Sequence, residues 1–95
     1  MSDDIDVHLG RRLRRRRRLL GLTQQQIAHA CGVRFQQIQK YECGANRMSA
    51  ARLWRLAEAL DVPVAYFFDG LARNGRSVAD EARPATMSSL TSDAA

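Results

Sequence analysis

The chain has 95 residues, of which 45% are hydrophobic, enough for one small domain with a core and too few for two domains or a large catalytic cleft. Fifteen Lys and Arg stand against ten Asp and Glu, a net charge of +5, which points to a polyanionic partner, either nucleic acid or an acidic membrane surface. Two cysteines exclude a disulfide framework, and no apolar run approaches the length of a transmembrane helix.

Charge and core coincide in the middle of the chain. Residues 1–7 carry three Asp and no base, residues 8–69 carry twelve bases and four acids, and residues 70–95 carry three of each. All six aromatic residues, from Phe35 to Phe68, fall in the basic middle segment. The expected organisation is a disordered acidic N-terminus over 1–5, a folded domain over 6–70 and a flexible tail over 71–95. The tail has no aromatics and no sustained apolar period, so it cannot offset its ordering entropy. The acidic start MSDDIDVHLG lacks an apolar segment and is not expected to act as a secretory signal. A reduced, cytoplasmic setting is the expected one.

Pattern and cap signals predict five short helices and no strands, an all-α class. The first spans about Asp6 to Leu20. Leu9, Leu13 and Leu20 fall within about 40° of one another and form one buried stripe, with Gly21 as the stop. The second opens on a capping box of Thr23 and Gln26. A hydrophobic staple of Leu22 and Ile27 supports it, and it stops at Gly32. The third begins after Gly32-Val33-Arg34, sets Phe35, Ile38 and Tyr41 at i, i+3 and i+6, and ends near Glu42 or Cys43 before Gly44. Two short helices joined by about three residues that include Gly are the helix-turn-helix arrangement. The fourth is capped by Ser49, stapled by Met48 and Leu53, and striped by Leu53, Leu56, Ala57 and Leu60. The fifth starts with Pro63 at N1 and covers VPVAYFF.

The stretch TQQQIAHACGVRFQQIQKYECGANRMS resembles the XRE family of helix-turn-helix regulators, whose members include lambda-type phage repressors and Cro. The likeness covers about residues 8–69. It rests on Thr23-Gln24 opening helix two, Ala28 where two helices cross, Gly32 in the turn, buried Ile38, and the Tyr41-Glu42-x-Gly44 close. The helix-four stripe and the LDVPVAYFF ending also match. The resemblance implies a compact five-helix lambda-repressor-like domain that binds double-stranded DNA as a homodimer, most simply as a transcriptional repressor. Two features depart from the family pattern. Arg34 replaces the usual Ser or Thr at the helix-three N-cap, at a cost of roughly 0.5–2 kcal/mol, and sets a cation at a positive helix end. A residue chosen against local stability suggests a functional contact. The Arg run from Arg11 to Arg18 is far denser than the family needs.

In this geometry helix three enters the major groove with its N-terminal residues at the base edges. Arg34, Gln36, Gln37 and Lys40 avoid its inward face, with Gln39 at the border. Gln pairs with adenine N6 and N7, and Arg or Lys with guanine O6 and N7. The resemblance sets Phe35, Gln36 and Lys40 toward bases. Phe35 has two readings, inward packing or a ring edge on a thymine methyl. Phosphate contacts are expected from Thr23 and Gln24 at the start of helix two and from Asn46 and Arg47 in the loop after helix three. Asn46 also suits a plain turn role. By resemblance, Arg17 pairs with Glu42 in a structural ion pair. Arg11, Arg14 and Arg18 share an outward face, read either as solvated surface or as a general attraction to DNA.

No catalytic or cofactor signature is present: there is no Gly-rich phosphate loop and no nucleophile with a base. His29, Cys31 and Cys43 fit no metal-ligand spacing, and Cys31 is expected to behave as a small core hydrophobe. The chain is therefore not expected to be an enzyme, to hold a cofactor or metal, or to bind a membrane. The competing reading is an antitoxin-type protein that grips a toxin partner, with the tail as a docking segment, and autoregulates through the same DNA-binding domain. A third is a non-specific nucleic-acid or acidic-membrane binder driven by the Arg helix.

Overall fold

The computed structural model describes residues 4–71. The tail over 71–95 and the acidic stretch over 1–5 therefore lie outside the described residues, except for Asp4, Ile5 and Leu71. Four α-helices follow in order: α1 (Asp4–Leu19), α2 (Gln24–Cys31), α3 (Phe35–Glu42) and α4 (Ala50–Leu60). A 3₁₀ turn (Val64–Phe68) closes the domain. Among the described residues there is no strand, and no helix is long and apolar enough to cross a membrane.

Helix α1 starts at Asp4, two residues before the expected start. Asp4 and Asp6 occupy its first turn and Arg16, Arg17 and Arg18 its last, so both ends oppose the macrodipole favourably. The expected stripe is corrected at its C-terminal end. Leu20 lies beyond the helix and is 41% exposed. The chain leaves the helical register there through Gly21, whose φ is +73°, and Leu22 packs on the core in its place. Leu9 and Leu13 are buried as expected.

Helix α2 forms where its caps lie. The Thr23 hydroxyl accepts from the Gln26 amide at 3.0 Å, and the Thr23 amide donates to the Gln26 side chain at 2.8 Å. At the other end Gly32 takes φ +69°, which lets the Val33 amide reach back to the Ala28 carbonyl at 3.0 Å, the Schellman closure. The turn into α3 is thereby fixed by a residue without a Cβ. Helix α4 is capped by the Ser49 hydroxyl, which accepts from the Arg52 amide at 3.0 Å. Its expected stripe is its buried face: Leu53, Leu56, Ala57 and Leu60.

The fifth helix is corrected to a 3₁₀ turn. Pro63 is its N-cap, with ψ 155°, and not its first helical residue. The Tyr66 amide donates to the Pro63 carbonyl at 2.9 Å, an i to i+3 bond, and a five-residue segment is short enough for that tighter geometry. Phe67 is fully buried, while Phe68 is 42% exposed. Leu13, Ile27, Ile38, Leu56, Leu60 and Phe67 form the centre of the core, one residue or more from each element. Helix α1 packs on α3 and on the 3₁₀ turn, and α2 packs on α3 and α4.

Candidate nucleic-acid interface

Helix α3 buries Ile38, Tyr41 and Glu42. Opposite them, Gln36, Gln39, Lys40 and Cys43 are all exposed. Their spacing of three, four and seven residues puts them on one face, so the outward stripe of α3 carries two amides, an ammonium and a thiol. Arg34 is exposed at the N-cap, and Phe35 and Gln37 are half-buried on either side of the stripe. Phe35 belongs neither to the core nor to the apolar side chains packed against it. Gln39, at the border in sequence, stands with Gln36 and Lys40 in the structure.

The start of α3 has no side-chain cap. Arg34 takes the extended N-cap conformation, with φ −79° and ψ 150°, but contributes no capping bond. Only its carbonyl serves the helix, accepting from Gln37 and Ile38. The first amides of α3 therefore have no side-chain acceptor from the N-cap.

What holds α3 in place is a buried charged network. Arg17 Nε donates to Glu42 Oε2 at 2.5 Å and Nη2 donates to Oε1 at 3.0 Å. This is the bidentate fork geometry in which guanidinium–carboxylate pairs are strongest. A third bond runs from Arg17 Nη1 to the Leu22 carbonyl at 2.8 Å. Both residues are buried, and the hydrogen bonds to Glu42 hold the Arg17 guanidinium above its ordinary pKa against the opposing effect of burial. Gln24 completes the network by donating Nε2 to Glu42 Oε1 at 3.0 Å. One carboxylate therefore ties together α1, the start of α2 and the end of α3. The Gln24 amide carries two N–H groups, so one is left for a second acceptor.

Gly10 allows α1 to come this close. A Cβ at Gly10 would stand 2.2 Å from the Tyr41 carbonyl oxygen and 2.8 Å from that of Glu42. Its role depends on where α3 crosses α1, and the sequence around it carries no sign of that crossing.

The residues expected at phosphates lie around this frame. Thr23 and Gln24 line an open hollow together with Arg14, Arg17, Arg18, Gln39, Glu42 and Cys43. The Thr23 oxygen is engaged as a cap, while its hydroxyl proton remains a donor. Asn46 is half-buried and Arg47 exposed in the loop after α3. Arg47 Nε also meets Asp6 Oδ2 at 3.3 Å, which anchors this loop to the start of α1.

The Arg run divides in a way that charge pattern alone did not show. Besides Arg17, Arg12 donates to the Tyr66 carbonyl at 2.9 Å, lies 3.9 Å over the Tyr66 ring and approaches Asp69 at 3.7 Å. Arg16 donates to the Leu60 carbonyl at 2.9 Å, at the C-terminal end of α4. These two clamp the 3₁₀ turn and α4 onto α1. Cys31 is buried, which pushes its thiol pKa up. No three potential metal ligands gather among the described residues.

Comparison with known proteins places this arrangement. The helix-turn-helix family HTH_3 matches residues 13–67. A transcriptional regulator in the ATPase CF(0) region of Rhodospirillum rubrum is 55% identical over 69 residues, covering 73% of this chain and 64% of that protein. An HTH-type transcriptional regulator of Sinorhizobium medicae is 46% identical over 71 residues, covering 75% of this chain and 51% of its own length. The chain thus spans about half to two thirds of the length of these relatives. The restriction-modification controller protein C.AhdI from Aeromonas hydrophila superposes with a TM-score of 0.65 at 32% identity, covering 68% of this chain and 97% of that one. The family match over more than half of the chain, joined to the α2–turn–α3 geometry, shows that the chain belongs to the XRE-type helix-turn-helix family of DNA-binding transcriptional regulators.

Proposed function

We propose that this chain binds a specific double-stranded DNA site as a homodimeric transcriptional repressor, with α3 in the major groove and residues 6–70 as the DNA-binding unit. The observation that carries the reading is the exposed polar stripe of α3, backed by the Arg17–Glu42–Gln24 network. A stripe that reads bases must be held still, because each bidentate base contact depends on direction as well as distance. In this reading Gln36, Gln37 and Lys40 address base edges, with Arg34 at the entry of the groove and Phe35 against a thymine methyl. Thr23, Gln24, Asn46 and Arg47 address phosphates and set the register. The names of the relatives support regulation of transcription.

Selection of bound sequences from random DNA, repeated with two variants, tests the division of roles. Gln36→Ala is expected to cost about 1–3 kcal/mol on the preferred site and to relax preference at one base pair. Gln24→Ala is expected to weaken all sequences alike. Identical preference profiles for the two variants would overturn the assignment.

A further inference from the structure

Seven of the eight residues from Arg11 to Arg18 are arginine, and the fold separates them into two sets. Arg12, Arg16 and Arg17 are spent on the domain itself. Arg11, Arg14, Arg15 and Arg18 are exposed and, with Leu19, line one open hollow on the outer side of α1. Among the described residues no acidic side chain meets any of these four.

The isolated helix gains nothing from this second set. Arg11–Arg14, Arg11–Arg15, Arg14–Arg18 and Arg15–Arg18 stand three or four residues apart, the spacings at which like charges destabilise a helix. The macrodipole favours a cation in the last turn, which accounts for Arg18 but not for the three in the body of the helix. An external polyanion would relieve this repulsion.

Position indicates which polyanion. Arg14 and Arg18 also line the hollow that contains Thr23, Gln24 and Gln39. The arginine face of α1 therefore adjoins, through one shared hollow, the polar start of α2 and the outward stripe of α3. We propose that the outer face of α1 is a second phosphate-binding surface, which tracks the DNA backbone beyond the segment read by α3. The helical rise from Arg11 to Arg18 is about 10.5 Å, close to the rise of about three nucleotides on one strand. Arg14 and Arg18 take the nearer phosphates, and Arg11 and Arg15 the next ones outward. This rests on the reading that a duplex lies on α3. It adds a surface that raises affinity for every duplex and carries no sequence information.

Binding measured by fluorescence anisotropy across a salt series tests the proposal, on a duplex carrying the selected site and on a random duplex of equal length. The pair Arg14→Gln and Arg18→Gln is expected to flatten the log–log salt dependence by about 0.9 for each phosphate no longer neutralised, about 2 per protomer. Both duplexes weaken together, so their affinity ratio stays at the wild-type value. The pair Arg11→Gln and Arg15→Gln shows the same weakening on a long duplex and little on one trimmed to the site. Lys at all four positions restores the slope. Thermal melting distinguishes this from a folding role: removing the repulsion raises Tm in both Gln pairs, whereas a structural role would lower it. Wild-type slopes in both Gln pairs would overturn the proposal. So would a defect confined to anionic vesicles or single-stranded RNA. If the α1 surface fails while Gln36→Ala still shifts base preference, the reading of α3 stands; a chain with no site preference at all defeats that reading instead.

Discussion

At the scale of single residues, two positions decide where α3 sits. Glu42 is the only acid between Asp6 and Glu58, and it accepts from both Arg17 and Gln24. Removing one member of a buried pair leaves the other charged and unpaired, which costs more than the pair itself contributes. Glu42→Gln is expected to destabilise the domain by more than about 0.5 kcal/mol. A double-mutant cycle with Arg17→Met should return a coupling of about 1–3 kcal/mol, read from denaturant unfolding. A coupling of zero would show that the contact does nothing for the fold. Gly10 acts by having no side chain. Ala normally favours a helix interior by about 1 kcal/mol over Gly. Here its methyl group would meet two backbone carbonyls, which cannot swing aside as a flexible side chain would. Gly10→Ala should therefore destabilise by about 1–3 kcal/mol. An unchanged or raised urea midpoint would contradict the close approach.

At the scale of elements, α3 is a helix that gives up stability at its start. Arg34 provides no cap, whereas Thr23 and Ser49 cap their helices with hydroxyls. Arg34→Ser is expected to raise stability by about 1 kcal/mol and at the same time to weaken DNA binding. Melting temperature and anisotropy on the same samples measure both; a variant gaining in both would remove the functional explanation for Arg34. How well the elements could be foreseen depends on where their signals lie. Helix α2 was readable end to end because Thr23, Gln26 and Gly32 act within the segment they delimit. The α4 stripe is readable because four apolar residues recur at helical spacing over two turns. The 3₁₀ turn reads as a helix in sequence because Pro63, with its fixed φ, suits N1 and N-cap alike, and the two differ in ψ. That ψ goes with contacts far away in sequence, among them Arg12 on the Tyr66 carbonyl. The inward arginines were hidden for the same reason, since Arg12 and Arg16 meet backbone carbonyls 54 and 44 residues away.

At the scale of the whole molecule, one domain presents one α3, and a single helix reads too few base pairs for specificity. Two-fold pairing would put two recognition helices in successive major grooves, about 34–36 Å or 10–10.5 bp apart, so the preferred site is expected to be a pseudo-palindrome. The surface suited to this pairing is a groove between the start of α1, α4 and the end of the 3₁₀ turn, with Arg47 and Asp6 at its rim. Leu9, Met48, Ala50, Leu53 and Phe68 line an open, largely apolar groove. Trp54, 59% exposed, lies one helical turn from Ala50 on α4. Of the three adjacent aromatics in the 3₁₀ turn, Phe67 is in the core and Tyr66 lies under Arg12. Phe68 is thus the one offered outward. A patch this small is below the area of a permanent interface, so pairing should be weak in free solution and strengthened by adjacent half-sites on DNA. Trp54 is the only tryptophan, so its fluorescence reports this surface directly. On a full palindromic site its emission should shift to the blue, and on a half-site it should not. Phe68→Glu should abolish the shift and the cooperative filling of the second half-site, while single half-site affinity falls little. Two protomers bound to a full site with unchanged Trp54 emission would place the pairing surface elsewhere. One protomer protecting an asymmetric half-site at saturation would defeat the dimer altogether.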